Sequence, residues 1–188
     1  MVIMMKCVLM GDGAVGKTAL RERYLGKGFK ANYMVTIGAD FALADRHIQG
    51  KDIKFQIWDL AGQPRFGAVR SVYYTNCLGA LCVFDCTRPD SFKNLTNWIE
   101  EYWNNNGRGV IPIVILGNKA DLKDKFPNHV SNEVAMDFSE KLTQETEPFG
   151  FKVPYLETSA KTGLNVDVAF EFLGMRILDF MEAQKASK

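Results

Sequence analysis

An α/β fold is what this sequence predicts: a mainly parallel sheet of about six strands, helices on both faces and one antiparallel edge strand. Three observations predict it. Short, nearly continuous apolar runs alternate with stretches of helical period, as parallel strands covered on both faces and their crossover helices read. Two runs, residues 41–48 and 52–58, are joined instead by Gln49-Gly50-Lys51, a hairpin turn signal that makes one edge strand antiparallel. The first apolar run, residues 2–10, ends in Gly11-Asp12-Gly13-Ala14-Val15-Gly16-Lys17-Thr18, and a helix-forming segment follows over 19–25.

That last string is a phosphate loop in the strand–loop–helix context such a loop requires. Its glycines let consecutive backbone N–H groups point at one anion. The helix behind it, from about 16 to 26 and including Ala19 in its first turn, offers unpaired N–H groups and a positive dipole end to the same phosphates. Lys17 adds a point charge for the β- and γ-phosphates, and the Thr18 hydroxyl is placed to ligate Mg²⁺.

The remaining elements follow in order. Residues 27–35 have no clear period and carry Gly28 and Asn32, so a loop is expected; residues 59–67, with two glycines and Pro64, form a second. Apolar strands are expected over 78–84, 110–116 and 153–156. Asp90 or Ser91 can cap a helix carrying Phe92, Leu95, Ile99 and Tyr102 at helical spacing. Val134, Phe138 and Leu142 mark another, and Val166, Ala169, Phe170, Leu173, Ile177 and Phe180 give the last helix, 166–181, a core-packing stripe.

The chain has 188 residues, 47% hydrophobic and 24% charged, which fits a single domain over 1–182 with a short polar tail over 183–188. A net charge of +1 gives no electrostatic case for nucleic acid, and none is expected as a partner. No apolar run is long enough to span a bilayer, and residues 1–10 are too short for a signal peptide. Cys7, Cys77, Cys82 and Cys86 form no C-x-x-C pair and read as buried free thiols of a reducing cytosol. His47 and His129 lack acidic companions at ligand spacing.

Three further strings carry chemistry, each at the carboxyl end of an expected strand, where ligands of such sheets bind. In Asp59-Leu60-Ala61-Gly62-Gln63 the carboxylate can reach the Mg²⁺ shell from opposite Thr18, Gly62 lets its N–H approach a γ-phosphate, and Gln63 can orient a water for in-line attack. In Asn118-Lys119-Ala120-Asp121, with Leu122 next, the Asp121 carboxylate can accept two N–H bonds from guanine, a pair that adenine does not offer. Thr158-Ser159-Ala160-Lys161 can present backbone N–H groups to guanine O6 and lay Lys161 across the base.

These four strings, in this order and after these strands, resemble the small GTPases of the Ras superfamily over nearly the whole chain, and the fold implied is their P-loop G domain. Thr36-Ile37-Gly38-Ala39-Asp40-Phe41, Ile57-Trp58-Asp59, Gln63-Pro64-Arg65-Phe66 and Val72-Tyr73-Tyr74 are most similar to the Rab family, whereas the phosphate loop is similar to that of the Rho family. The resemblance implies a switch that binds GTP and GDP with Mg²⁺ and hydrolyses GTP slowly. Switch I (about 27–41) and switch II (about 59–74) would read the γ-phosphate. Thr36 would ligate Mg²⁺ and contact the γ-phosphate, Phe29 would stack on guanine and Tyr33 would cover the phosphates. Gly13 would leave room for Gln63. Effectors, an exchange factor and an activating protein are the implied partners, in trafficking or signalling, with the protein itself a monomer.

Departures from the pattern are Leu60 in place of the usual threonine, Pro64 in place of the usual glutamate, and the extended segment 144–152, a candidate partner surface. Pro64 biases Gln63 away from helical dihedrals and so favours a second reading, a GTP-binding module with little hydrolysis. A metabolic ATPase or kinase on the same loop has Asp121 against it. The last residues, Glu182-Ala183-Gln184-Lys185-Ala186-Ser187-Lys188, carry no cysteine for prenylation. The expected location is the cytoplasm, peripheral on membranes if the natural chain runs on to a lipidated tail.

Overall fold

A computed structural model describes residues 2–29, 36–63 and 67–186. The strands are β1 (Ile3–Met10), β2 (Ala39–Ile48), β3 (Lys51–Leu60), β4 (Gly79–Asp85), β5 (Ile113–Asn118) and β6 (Tyr155–Glu157). The helices are α1 (Lys17–Tyr24), α2 (Gly67–Tyr74), α3 (Pro89–Lys93), α4 (Leu95–Asn105), α5 (Asn132–Thr146) and α6 (Val166–Ala186). The sheet order is β2-β3-β1-β4-β5-β6, antiparallel only between β2 and β3. Gln49 and Gly50, with φ of 49° and 71°, make the two-residue turn of that hairpin, and the double positive φ matches the right-handed twist of the flanking strands.

Alternation along β1 shows how both sheet faces are buried. Cys7 and Leu9 belong to a core with Leu20 and Tyr24 of α1 and Phe170, Leu173 and Ile177 of α6. Val8 and Met10 belong to the opposite core with Tyr74 of α2, Leu95, Ile99 and Tyr102 of α4, and Ala135 and Leu142 of α5. The Tyr24 and Phe170 rings stack with centroids 3.8 Å apart, a contact that contributes about 0.5–1.5 kcal/mol beyond area burial. Every residue of β4 and β5 is buried, as strands with two covered faces must be. All four cysteines are free and buried. Leu60 closes β3 with its side chain in the second core. Among the described residues no helix is long and apolar enough to cross a membrane.

Several boundaries differ from expectation for identifiable reasons. β5 starts at Ile113 rather than at 110, because Pro112 has no N–H and contributes only its carbonyl, to Ala80 N. β6 starts at Tyr155 rather than at 153: the Val153 N–H goes to the Thr143 hydroxyl and its carbonyl to Ser139, so α5 takes the bonds that a ladder would need. The single helix expected after residue 90 is two. Arg88 is its N-cap, Pro89 occupies the first turn with its φ already set, and Asn94 joins the pieces. Ser91 is not the cap: it is buried, accepts from Asp85 N and donates to Arg88 O, which ties α3 to the end of β4. In the extended segment, a 3-10 turn at Glu147–Phe149 leaves Phe149 exposed, while Phe151 packs edge-on against Phe180.

Candidate functional site

The phosphate loop bends where only glycine fits. Gly11 has φ +134°, and a Cβ on it would lie 2.0 Å from Val83 O. Gly16 has φ +100°, and a Cβ there would meet the Asn118 amide at 2.3 Å. Ala14 also takes positive φ, 63°, so the loop curls as the sequence requires and Val15 is fully buried beneath it. Lys17 spans the curl, Nζ donating to Gly11 O at 2.7 Å and Asp12 O at 2.8 Å. Thr18 and Ala19 follow in the first turn of α1.

Burial lowers the Lys17 ammonium to about 8, against the pull of Asp59 and Asp12. Phosphates bound beside it would restore its charge, so binding takes up a proton above that value. Affinity for a nucleoside triphosphate is therefore expected to hold through neutral pH and then to fall by about tenfold per pH unit well above 8. Equilibrium titrations from about pH 7 to 9 check this.

Three oxygen donors meet in front of Lys17. The Thr18 hydroxyl donates to Asp59 Oδ2 and lies 3.2 Å from the Thr36 hydroxyl. Asp59 is fully buried, its other oxygen has no hydrogen-bond partner, and burial pushes its carboxyl above the usual range. An orphaned carboxylate oxygen beside two hydroxyls is a donor set for a hard, oxygen-loving cation, and it fits Mg²⁺. Thr18, Asp59 and Thr36 are the residues that would hold it. Asp59 lies within β3, paired with Asp40 in β2 and Leu9 in β1, rather than in a loop. The neighbouring Arg21 guanidinium bonds Asp40 at 2.6 Å and holds that carboxyl below its usual range.

Gly62 closes on the phosphate loop: a Cβ on it would lie 2.4 Å from the Asp12 carbonyl carbon and 2.5 Å from Gly13 N. Gln63 sits alongside, its Oε1 buried without a partner. A Cβ on Gly13 would be 3.8 Å from Gln63 Nε2, an ordinary contact. The crowding expected at Gly13 therefore begins with side chains larger than alanine, since only atoms beyond Cβ intrude. Asp12 contributes to the site through its backbone, because its carboxylate is taken by Asn94 Nδ2 and Trp98 Nε1, both at 2.8 Å.

At the far end Asn118 braces two segments: Nδ2 donates to Val15 O, and Oδ1 accepts from the Thr158 hydroxyl and Ala160 N. The Ala160 N–H, expected to face a base, is bonded to Asn118 at 3.3 Å. Asp121 is exposed, with Oδ1 anchored at 2.6 Å by the buried Ser159 hydroxyl, which leaves Oδ2 and a further lone pair of Oδ1 for a ligand. Leu122 is half-buried behind it and Lys161 is exposed. Lys119 sits at φ 63° with Nζ on Asp85 Oδ2 at 2.6 Å, and Asp85 is held below the usual carboxylate range although burial opposes this, because Lys119 and Thr87 bond it. Phe29 is 44% exposed at the rim. Tyr33, Pro64 and Arg65 lie outside the described residues.

Sequence reasoning missed several participants. Arg88, the N-cap of α3, donates to Gly13 O at 2.7 Å. Glu101 accepts with both carboxylate oxygens, at 2.7 Å, from Arg70, which is buried rather than presented to solvent. Phe41, Trp58 and Tyr73 form a row with centroids 5.2 and 5.3 Å apart, Phe41 being 53% exposed. The signal was available: an aromatic on the solvent side of an edge strand is a cost unless something covers it.

The model of the Ras family matches residues 6–179. The chain is 39% identical over 173 residues to Ras-related protein Rab-13 of Rattus norvegicus, covering 92% of this chain and 79% of that one. It is 35% identical over 184 residues to Ras-related protein Rab7 of Drosophila melanogaster, covering 96% and 83%. To GTP-binding protein ypt1 of Schizosaccharomyces pombe it is 38% identical over 176 residues, covering 94% and 81%. With a phosphate loop, an oxygen-donor cluster and an anchored Asp121 along one end of this sheet, the chain belongs to the Ras family of small GTPases, on the side of its Rab proteins.

Proposed function

We propose that the chain is a guanine-nucleotide switch that holds GTP or GDP with Mg²⁺, hydrolyses GTP slowly and presents the outcome to partners. The observation that carries this reading is the convergence of Lys17, the Thr18–Asp59–Thr36 oxygens and Gln63 on one loop. Lys17 and the loop N–H groups would hold the phosphates. Thr18, Asp59 and Thr36 would hold Mg²⁺, which would supply charge neutralisation to the phosphates. Gln63 would orient the attacking water through the Oε1 that lacks a partner. Asp121 would select guanine by accepting its two N–H donors.

Arg70 is engaged by Glu101 and so is a poor source of charge for the transferring phosphoryl. Turnover is therefore slow, and an arginine supplied by an activating protein would add roughly 10³–10⁵-fold. The γ-phosphate would order 27–41 and 59–74 through Thr36 and Gly62, and hydrolysis would release them. Effectors and an exchange factor would meet these segments, and the exposed Phe41 ring, backed by the half-buried Trp58 and Tyr73, supports an apolar contact there. Such a switch would work in the cytoplasm, in trafficking or signalling, peripheral on membranes if the natural chain runs on to a lipidated tail.

Single-turnover hydrolysis by the GTP-loaded protein tests the reading. Gln63→Leu is expected to slow it by on the order of 10²-fold while GTP affinity holds. Equal rates for the two proteins would remove Gln63 from the mechanism.

A further inference from the structure

One face of α4 connects the phosphate loop to switch II. Asn94, Trp98 and Glu101 recur at the spacing that aligns side chains along a helix. Asn94 Nδ2 and Trp98 Nε1 grip the two oxygens of Asp12, each at 2.8 Å. The Arg70 guanidinium lies over the same Trp98 ring, 4.3 Å from its centroid. Both Glu101 oxygens accept from Arg70 at 2.7 Å, and the Tyr74 hydroxyl adds a bond to Oε1 at 2.9 Å. Arg70 Nη1 then donates to the backbone carbonyl of Gln63 at 3.2 Å.

The Arg70 side chain is 8% exposed, so its charge has left water and depends on this arrangement. A planar guanidinium can satisfy a carboxylate with two N–H groups, lie on an indole and keep a further N–H for a carbonyl; an ammonium cannot. The result is a chain of contacts from Asp12, at the phosphates, to the backbone of the residue expected to position water.

We propose that Glu101 and Trp98 are positioning residues for GTP hydrolysis: they hold Arg70 so that it fixes the Gln63 carbonyl relative to the phosphate loop. This rests on the reading of Gln63 given above. Misplacing a water-orienting group by about 1 Å costs up to about 10²-fold in rate, whereas none of the side chains assigned above to the phosphates or the base is among these. Rate should therefore fall without affinity.

The test is single-turnover hydrolysis by GTP-loaded protein, with GTP affinity and melting temperature measured alongside. Glu101→Gln and Arg70→Lys are each expected to slow hydrolysis by about tenfold, with affinity within about twofold of wild type. Trp98→Phe, which keeps a ring under Arg70 but loses the bond to Asp12, should slow it less. Placed in Gln63→Leu protein, none of the three should slow hydrolysis further, because all act through Gln63. Wild-type rates for Glu101→Gln and Trp98→Phe with Gln63→Leu slow would overturn the positioning role alone. So would a loss confined to Arg70→Lys, or affinity falling in step with rate. A wild-type rate for Gln63→Leu would instead overturn the reading beneath it.

Discussion

Replacing Lys17 with alanine is expected to weaken GTP and GDP binding more than any other single change in the loop. The Lys17 Nζ lies inside the curl and bonds the carbonyls of Gly11 and Asp12. Its loss would remove the cation proposed to face the phosphates and leave two inward carbonyls without a donor. Truncating one partner of a buried charge pair costs about 2–5 kcal/mol, which is roughly 30- to 4000-fold in Kd. Equilibrium titration with a fluorescent guanine nucleotide reads this directly. An affinity within about threefold of wild type would show that the phosphates are held elsewhere.

Asp121→Ala should be nearly as damaging, through specificity. The carboxylate is exposed, so removing it should leave the fold intact, and only its bond from Ser159 is lost internally. Two charge-assisted bonds to the guanine edge, at about 1.5–3 kcal/mol each, amount to on the order of 10²-fold or more in GTP affinity. Excess ATP should fail to displace labelled GTP from wild type and should compete far better in the variant. Equal competition by ATP against wild type would contradict guanine selection.

How much of this was legible in the sequence depended on how local each feature is. Lys17, Thr18, Asp59, Asn118 and Asp121 sit in short strings at strand ends, where residue type and spacing already imply the chemistry. Both cores could be read from alternation in the apolar runs. The strand starts at Ile113 and Tyr155 differ from expectation because Pro112 lacks the N–H a ladder needs, and because side chains of α5 ten and fourteen residues away take the backbone bonds of Val153. The hydrogen bonds of Asp12 to Asn94 and Trp98 join positions 82 and 86 residues apart, and those of Arg70 to Glu101 join positions 31 apart. Trp98 falls among Leu95, Ile99 and Tyr102, so its indole N–H was hidden in a core stripe. Asp12 in turn reads as a phosphate-loop residue until its carboxylate is seen to point to α4.

The γ-phosphate of a bound triphosphate is expected to change the state of the segments around Thr36 and Gly62. Hydrogen exchange of the Mg²⁺-loaded protein, with GDP and with a non-hydrolysable GTP analogue, tests this most directly. Slower exchange over 36–41 and 59–74 in the triphosphate state, with β4 and β5 unchanged, is the result predicted. Indistinguishable exchange in the two states, with both nucleotides demonstrably bound, would contradict it.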